Sequence, residues 1–242
     1  MNDRTPRPAL TIFSGRFGSG KTETALSYAL ALAWNSAPGI AQAPDTEQGL
    51  STTVILIDLD IVTPYFRSRE LAGGMKRDKV QVIAPSLVGQ HLDTPAITPQ
   101  ILGAIQQLDR PVVLDVGGDK QGARALGQFS PAIRQHGYAM YFVINPFRPF
   151  TDTVEGVSRS IAEIEAGARL QVHSLVSNPN LIGETTMDHI IEGHATIERF
   201  AQALGLPIAF VCIERKWSSA LGSNHFAQPV LVLDRHFVMS WE

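Results

Sequence analysis

At 242 residues, 44% hydrophobic and 18% charged, the chain has an ordinary globular composition, which excludes a disordered or fibrous protein. It is long enough to bury roughly 70–75% of its unfolded surface without a staple, and its single cysteine, Cys212, excludes an internal disulfide or a multi-thiolate cluster. Twenty Lys and Arg against 23 Asp and Glu leave a net charge of −3, so no overall basic field marks nucleic acid as a partner.

Taken in chain order, short apolar runs alternate with helix-length amphipathic stretches. A strand is expected over Ala9–Ser14, then a helix over Lys21–Trp34, then strands over Thr53–Leu59 and Lys79–Ala84. A helix over Pro99–Leu108, a strand over Pro111–Val116 and a helix over Gln121–His136 follow. The second half reads as strand Ala139–Asn145, helix Thr151–Ala166 with Thr151–Asp152 as caps, strand Leu170–Ser177, helix Glu184–Leu204 closed by Gly205, and strands Pro207–Ile213 and Val230–Leu233. Most of these strands are apolar on both faces, as strands covered by helices on both sides must be. The rhythm predicts an α/β fold: a doubly wound, mainly parallel sheet of about seven to eight strands with helices on both faces. Residues 35–51, rich in Pro, Gly and Ala, read as a mobile surface connection within one domain spanning 1–242, because the α/β rhythm resumes directly afterwards. No apolar run approaches the roughly 20 residues of a membrane span, and neither a secretory signal nor a lipidation signal is visible, so a cytoplasmic protein is expected.

The strongest motif is Gly15-Arg16-Phe17-Gly18-Ser19-Gly20-Lys21-Thr22, which fits the phosphate-binding pattern G-x-x-x-x-G-K-[ST] (Walker A). Glycines let the main chain turn sharply and bring its N–H groups against phosphates. Lys21 supplies a point charge for the β- and γ-phosphates, and the Thr22 hydroxyl is a Mg²⁺ ligand in such loops. The helix that begins here adds its positive end, through Thr22 and Glu23. An apolar strand before the loop and an amphipathic helix after it are the context the motif requires. Nucleotide contacts are therefore expected from Gly15, Phe17, Gly18, Ser19, Gly20, Lys21, Thr22 and Glu23.

Such a loop needs acids at the carboxyl ends of neighbouring strands. In Val54-Ile55-Leu56-Ile57-Asp58-Leu59-Asp60 the two acids alternate, so they share one side of the strand. In Val112-Val113-Leu114-Asp115-Val116-Gly117-Gly118 a buried strand ends in an acid, with Gly118 at D-x-x-G spacing. Asp115 would hold Mg²⁺ through its water shell and the Gly118 N–H would sense the γ-phosphate. Asp60 is the candidate to orient an attacking water, beside the segment Ile61–Arg69, and Asp58 to support the Mg²⁺ waters or that segment. Strand-end acids also cap helices or pair with surface bases, and that reading stays open at this point.

These motifs, in this order, resemble the MinD/ParA group of P-loop ATPases within the signal-recognition/MinD/BioD-like class. Ile57-Asp58-Leu59-Asp60-Ile61 is similar to the acid-x-acid switch I, whose second acid is the catalytic one. Leu114 to Gly118 sits where Walker B and switch II lie. Val143 to Thr153 resembles the strand–Pro–helix that follows, Leu175 to Asn180 falls where a base-contacting Asn is placed, and Leu204 to Arg215 is similar to a late "LGLP" strand. Within the class the chain looks like the bacterial branch labelled CobQ/CobB/MinD/ParA nucleotide-binding domain proteins. The resemblance implies the P-loop NTPase fold, ATP and Mg²⁺ as ligands, hydrolysis served by Lys21, Asp60, Asp115 and Arg16, and a nucleotide-dependent homodimer. The family's second loop residue is a Lys that reaches the partner's phosphates; here it is Arg16, which either does so with a bidentate fork or lies exposed beside the loop. Asn178 either reads adenine through its amide, with Glu214–Trp217 walling the base, or stabilises the turn before Pro179. No Asn-Lys-x-Asp guanine box is present, which favours ATP over GTP.

The resulting expectation is a Mg²⁺-ATPase whose cycle switches an unidentified protein partner. The alternative is an ATP-dependent ligase acting on a small carboxylate, resembling dethiobiotin synthetase or the cobyrinate amidases, although the chain lacks the glutaminase domain of the latter. Among the remaining residues, Tyr65, Phe66, Arg67 and Arg69 read as a partner surface or an ordinary helix start, and His91 and Asp93 as a weak pair on a loop near the γ-phosphate side. His173, His189 and His194 lack metal-ligand spacing, Cys212 reads as core, and Arg148 either contacts nucleotide or a second subunit or sits in a Pro-fixed turn.

Overall fold

Leu10 and Ile12 of strand β1 (Leu10–Ser14) face one apolar layer and Phe13 faces another, and the same alternation runs through every central strand. The computed structural model describes residues 9–34, 53–60, 79–84, 99–221 and 225–234. The connection 35–51, the segment Ile61–Arg69 with Tyr65, Phe66, Arg67 and Arg69, and the loop with His91 and Asp93 lie outside the described residues.

After β1 come α1 (Lys21–Ala33), β2 (Val54–Leu59), β3 (Val80–Ile83), α2 (Pro99–Gln107), β4 (Val112–Val116), α3 (Lys120–Gly127) and α4 (Ser130–His136). The second half runs β5 (Ala139–Ile144), α5 (Val154–Ala168), β6 (Ser174–Ser177), a 3-10 turn (Ile182–Glu184), α6 (Met187–Leu204), β7 (Ile208–Glu214), α7 (Arg215–Leu221) and β8 (Val230–Leu233). The eight strands form one parallel sheet in the order β3-β2-β4-β1-β5-β6-β7-β8, the expected α/β fold with helices flanking a parallel sheet. One face packs Ile12, Ile57, Leu114 and Phe142 against α2 to α6, and the other packs Phe13, Leu56, Val113 and Phe210 against α1.

Five differences from the expected elements stand out. The helix expected over Gln121–His136 is two helices, because Pro131 brings no amide to continue α3; the Gly127 carbonyl instead accepts from Ser130 Oγ at 3.0 Å and from the Arg169 guanidinium at 2.7 Å. The strand expected from Leu170 begins only at Ser174, since the amides of Gln171 and Val172 donate to the Tyr138 hydroxyl and the Glu165 carboxylate. Helix α5 is capped by Thr153, whose Oγ1 accepts from the Gly156 N–H at 3.2 Å; Thr151, expected as a cap with Asp152, is buried and donates to the Asn145 carbonyl at 2.7 Å. Helix α6 starts at Met187, where Thr186 and His189 form a reciprocal capping box. Helix α7 was not expected; Glu214 ends β7 and Arg215 opens the helix.

Candidate functional site

The loop after β1 lies at the carboxyl end of the sheet, with β4 and β2 on one flank and β5 on the other. Gly18 and Gly20 take left-handed φ of 78° and 80°, which lets the chain reverse into α1. Gly20 is the N-cap of α1 and carries no side-chain cap, whereas α3, α5 and α6 are capped by Asp119, Thr153 and Thr186. The loop-to-helix amides that accept an anion in such motifs are therefore not consumed by a capping side chain. Helix α1 itself is pinned by an aromatic cluster, with Tyr28 stacked on Phe210 at 5.7 Å and edge-on to Phe13 at 5.2 Å.

Neighbours fix the loop from behind. Asn178, buried at the end of β6, donates its Nδ2 to the Ser19 carbonyl at 2.7 Å. Gly118 approaches the Gly15 carbonyl and Arg16 Cα so closely that any side chain would collide with main chain. The junction after β4 is thus in direct contact with the loop.

The acids arrive from the flanking strands. Asp58 is the register partner of Asp115, and Asp115 that of Phe13, so all stand at the same sheet edge. By strand alternation Asp58 and Asp115 point with Leu56 and Val113 toward the α1 face. Lys21 Nζ lies 2.8 Å from Asp60 Oδ2, with both side chains buried. Burial works against the Lys21 ammonium, but Asp115, Asp60 and Asp58 outweigh it and hold its pKa above the usual value. Burial and the nearby Asp115 push Asp58 up to about 7, although its Oδ1 accepts from the Asp60 N–H at 2.9 Å. Asp115 is fully buried; burial raises its pKa, while Lys21 and the Thr22 side chain favour the charged form. Neither Asp115 oxygen has a hydrogen-bond partner of ordinary geometry.

That orphaned carboxylate tests the expected Mg²⁺ site. A fully buried acid whose oxygens have no partner of ordinary geometry, next to the Thr22 hydroxyl, is the hard-oxygen environment a hydrated cation suits. Among the described residues no group of three or more His, Cys, Asp or Glu is placed to hold a metal alone, so a cation here would depend on other oxygens as well. The residues fit Mg²⁺ on those terms.

Arg16 has a definite place that the sequence did not indicate. Its Nη2 meets Glu163 Oε2 at 2.7 Å, its Nε donates to Ser160 Oγ at 2.8 Å, and its guanidinium lies 5.6 Å from the Phe150 ring centroid. Phe17 is 74% exposed at the loop's tip. Asn145, to which the sequence assigned no role, sits behind the loop. It is buried after β5 and donates to the Asn180 carbonyl at 2.6 Å and, weakly, to the Gly18 carbonyl at 3.4 Å; the Asn-Pro step was its only signal. The histidines have structural tasks: His173 accepts from the Met140 N–H, His189 closes the α6 capping box, and buried His194 bonds Ser177 and Gln228. Cys212 is core, its thiol pushed up to about 12 by burial. Among the described residues no helix is long and apolar enough to cross a membrane.

No family model and no curated protein matches the chain. Solved structures do resemble it. FtsY from Mycoplasma mycoides is 15% identical with a TM-score of 0.50, over 84% of this chain and 61% of that one. Chloroplast FtsY from Physcomitrella patens is 17% identical with a TM-score of 0.51, over 85% of this chain and 58% of that one. This chain therefore spans less than two thirds of either FtsY chain. A looser likeness, TM-score 0.44 at 15% identity over 86% of this chain and 84% of that one, is to a nucleotide-binding protein in complex with ADP from Archaeoglobus fulgidus. The likeness to FtsY establishes the fold, that of an α/β P-loop NTPase.

Proposed function

We propose that this chain is a Mg²⁺-dependent ATP-binding protein and ATPase of the MinD/ParA-like class, acting as a nucleotide-dependent switch. The observation that carries the reading is the fully buried Asp115 carboxylate beside Thr22, at the foot of a glycine loop whose helix has no side-chain cap. Lys21 exchanges Asp60 for the phosphate tail, Thr22 and Asp115 hold the cation and its waters, and the loop amides bind phosphate oxygens. Mg²⁺, when bound, would supply positive charge that stabilises the phosphate tail. Asp60, released from Lys21, orients the attacking water, and Asp58 supports the Mg²⁺ waters from the same edge. The Gly118 N–H, at the junction packed against the loop, reports the γ-phosphate.

ATP is favoured over GTP because no guanine box follows β6. Asn178 spends its Nδ2 on the loop, so its carbonyl oxygen is the group left for the adenine amino group. Homodimerisation on nucleotide rests on Arg16, which must leave Glu163 to reach a second copy. Calorimetry with Mg²⁺ and ATP or GTP, on wild type and Lys21→Ala, tests the reading. The expected result is a Mg²⁺-dependent ATP signal that Lys21→Ala abolishes; no signal with either nucleotide, or equal affinity in the variant, would sink it. Hydrolysis with and without small carboxylates separates the switch from a ligase.

A further inference from the structure

The turn after β5, Asn145-Pro146-Phe147-Arg148-Pro149, is fixed on both sides. The Arg148 N–H donates to the Asn145 carbonyl at 3.2 Å, and the Thr151 hydroxyl donates to the carbonyls of Asn145 and Arg148 at 2.7 and 3.2 Å. Phe147 N–H binds Asn145 Oδ1 at 3.2 Å, and the Asn145 amide reaches back to Gly18. This rigid turn lays the Arg148 side chain along the phosphate loop: a Cβ placed on Gly18 would sit 3.2 Å from its Nε and 3.3 Å from its Cδ.

The Arg148 Nε is sealed from solvent and bonds nothing. Among the described residues no carboxylate pairs with it, whereas the other loop-side arginine, Arg16, is engaged by Glu163 and Ser160. A mere cover for Gly18 requires no charge, and a desolvated guanidinium donor without an acceptor is unfavourable. The sheet order also keeps it from the site's acids. Asp58, Asp60 and Asp115 come from β2 and β4 on one flank of β1, and Arg148 comes from β5 on the other. The acids engage Lys21, while Arg148 remains an unneutralised cation against the loop that would take the phosphates.

We propose that Arg148 is a phosphate ligand of the bound nucleotide, acting within its own chain from the Gly18 side of the loop. The proposal rests on the nucleotide-binding reading above. The guanidinium gives its unused N–H groups to phosphate oxygens on the flank that Lys21 and the Mg²⁺ site do not cover.

Calorimetry with Mg²⁺ and the β,γ-imido analogue of ATP tests it on wild type, Arg148→Met and Arg148→Lys over a range of KCl concentrations. Arg148→Met keeps an apolar stem on Gly18 but removes the charge. It is expected to lose about tenfold in affinity and to become less salt-sensitive, with Arg148→Lys recovering most of the loss. Should Arg148→Met not fold, Arg148→Gln takes its place and is read the same way. An uncharged variant within about twofold of wild type at low salt overturns the proposal. A loss seen only at protein concentrations where the chain self-associates overturns the assignment within one chain. If wild type itself shows no Mg²⁺-nucleotide heat, the parent reading has failed; if wild type binds and the Met variant matches it, Arg148 alone has failed.

Discussion

The Lys21 ammonium is held 2.8 Å from the Asp60 carboxylate, and both groups are buried. On the proposed function, a phosphate tail entering the loop would compete for that same ammonium, so nucleotide binding and the release of Asp60 would be a single exchange. The loop's cation and the proposed water-orienting acid would thereby gate each other.

Replacing Asp60 by Asn removes the internal competitor for Lys21. Affinity for Mg²⁺ with an ATP analogue should hold or rise by a few fold, while turnover falls by about a hundredfold or more, within the range for loss of a general base. Calorimetry and a phosphate-release assay read the two effects, and a matched loss of both would count against the exchange.

The acid edge gives a pH signature. Asp58, raised from the usual carboxylate range to about 7, binds its proton more tightly in the folded than in the unfolded chain. Its contribution to stability is therefore fully present below about pH 4 and is lost as pH rises through about 7. Buried His194, lowered first by burial, acts in the opposite sense and loses stability as pH falls below its ordinary value. The difference between wild type and Asp58→Asn isolates the first effect. The variant should be the more stable at pH 8, and its advantage should shrink toward pH 4 in thermal melts.

Asn178→Ala withdraws the donor to the Ser19 carbonyl, a loss on the order of 1–3 kcal/mol for a buried acceptor left unpaired. The melting temperature should fall, and affinity should drop for ATP and GTP alike as the loop slackens, with a further loss for ATP if the amide also reads adenine. Unchanged stability would remove Asn178 from the role of prop.

The Arg16–Glu163 pair is partly exposed, so breaking it should cost at most about 1 kcal/mol. Glu163→Ala should accordingly leave the melting temperature nearly unchanged and raise the dimer fraction seen by sedimentation with an ATP analogue. A monomer in both proteins, with and without analogue, would end the proposed cross-dimer role of Arg16.

The parts of this molecule legible in its sequence are those written in short range. The run Gly15–Thr22, the alternating Asp58 and Asp60, and the strand-ending Asp115 are each recognisable from adjacent residues, and the strand–helix rhythm carries the sheet. What escaped depends on distant partners. The pairing of Arg16 with Glu163 spans 147 residues and the Asn178 bond to Ser19 spans 159, and neither has a local signal. The late start of β6 depends on amides diverted to Glu165 and Tyr138, a competition no hydrophobic pattern records. Pro131 was visible, but the amphipathic pattern continues across it and masked the break between α3 and α4.

Helices α3 and α5 meet through Gly127, Gly167 and Ala123, where a Cβ on Gly127 would stand 2.5 Å from the Gly167 carbonyl. Backbones that close have no side-chain cushion between them, so a shift of α3 would press directly on its neighbour. The consequence is a mechanical linkage: a displacement of the Gly118 junction, just before α3, would be delivered to α5 and to the clasp on Arg16. Hydrogen exchange should show the two helices changing protection together when nucleotide is added, and independent responses would break the linkage. The far side of α5 would then serve as the dial on which an outside protein reads the state of the loop.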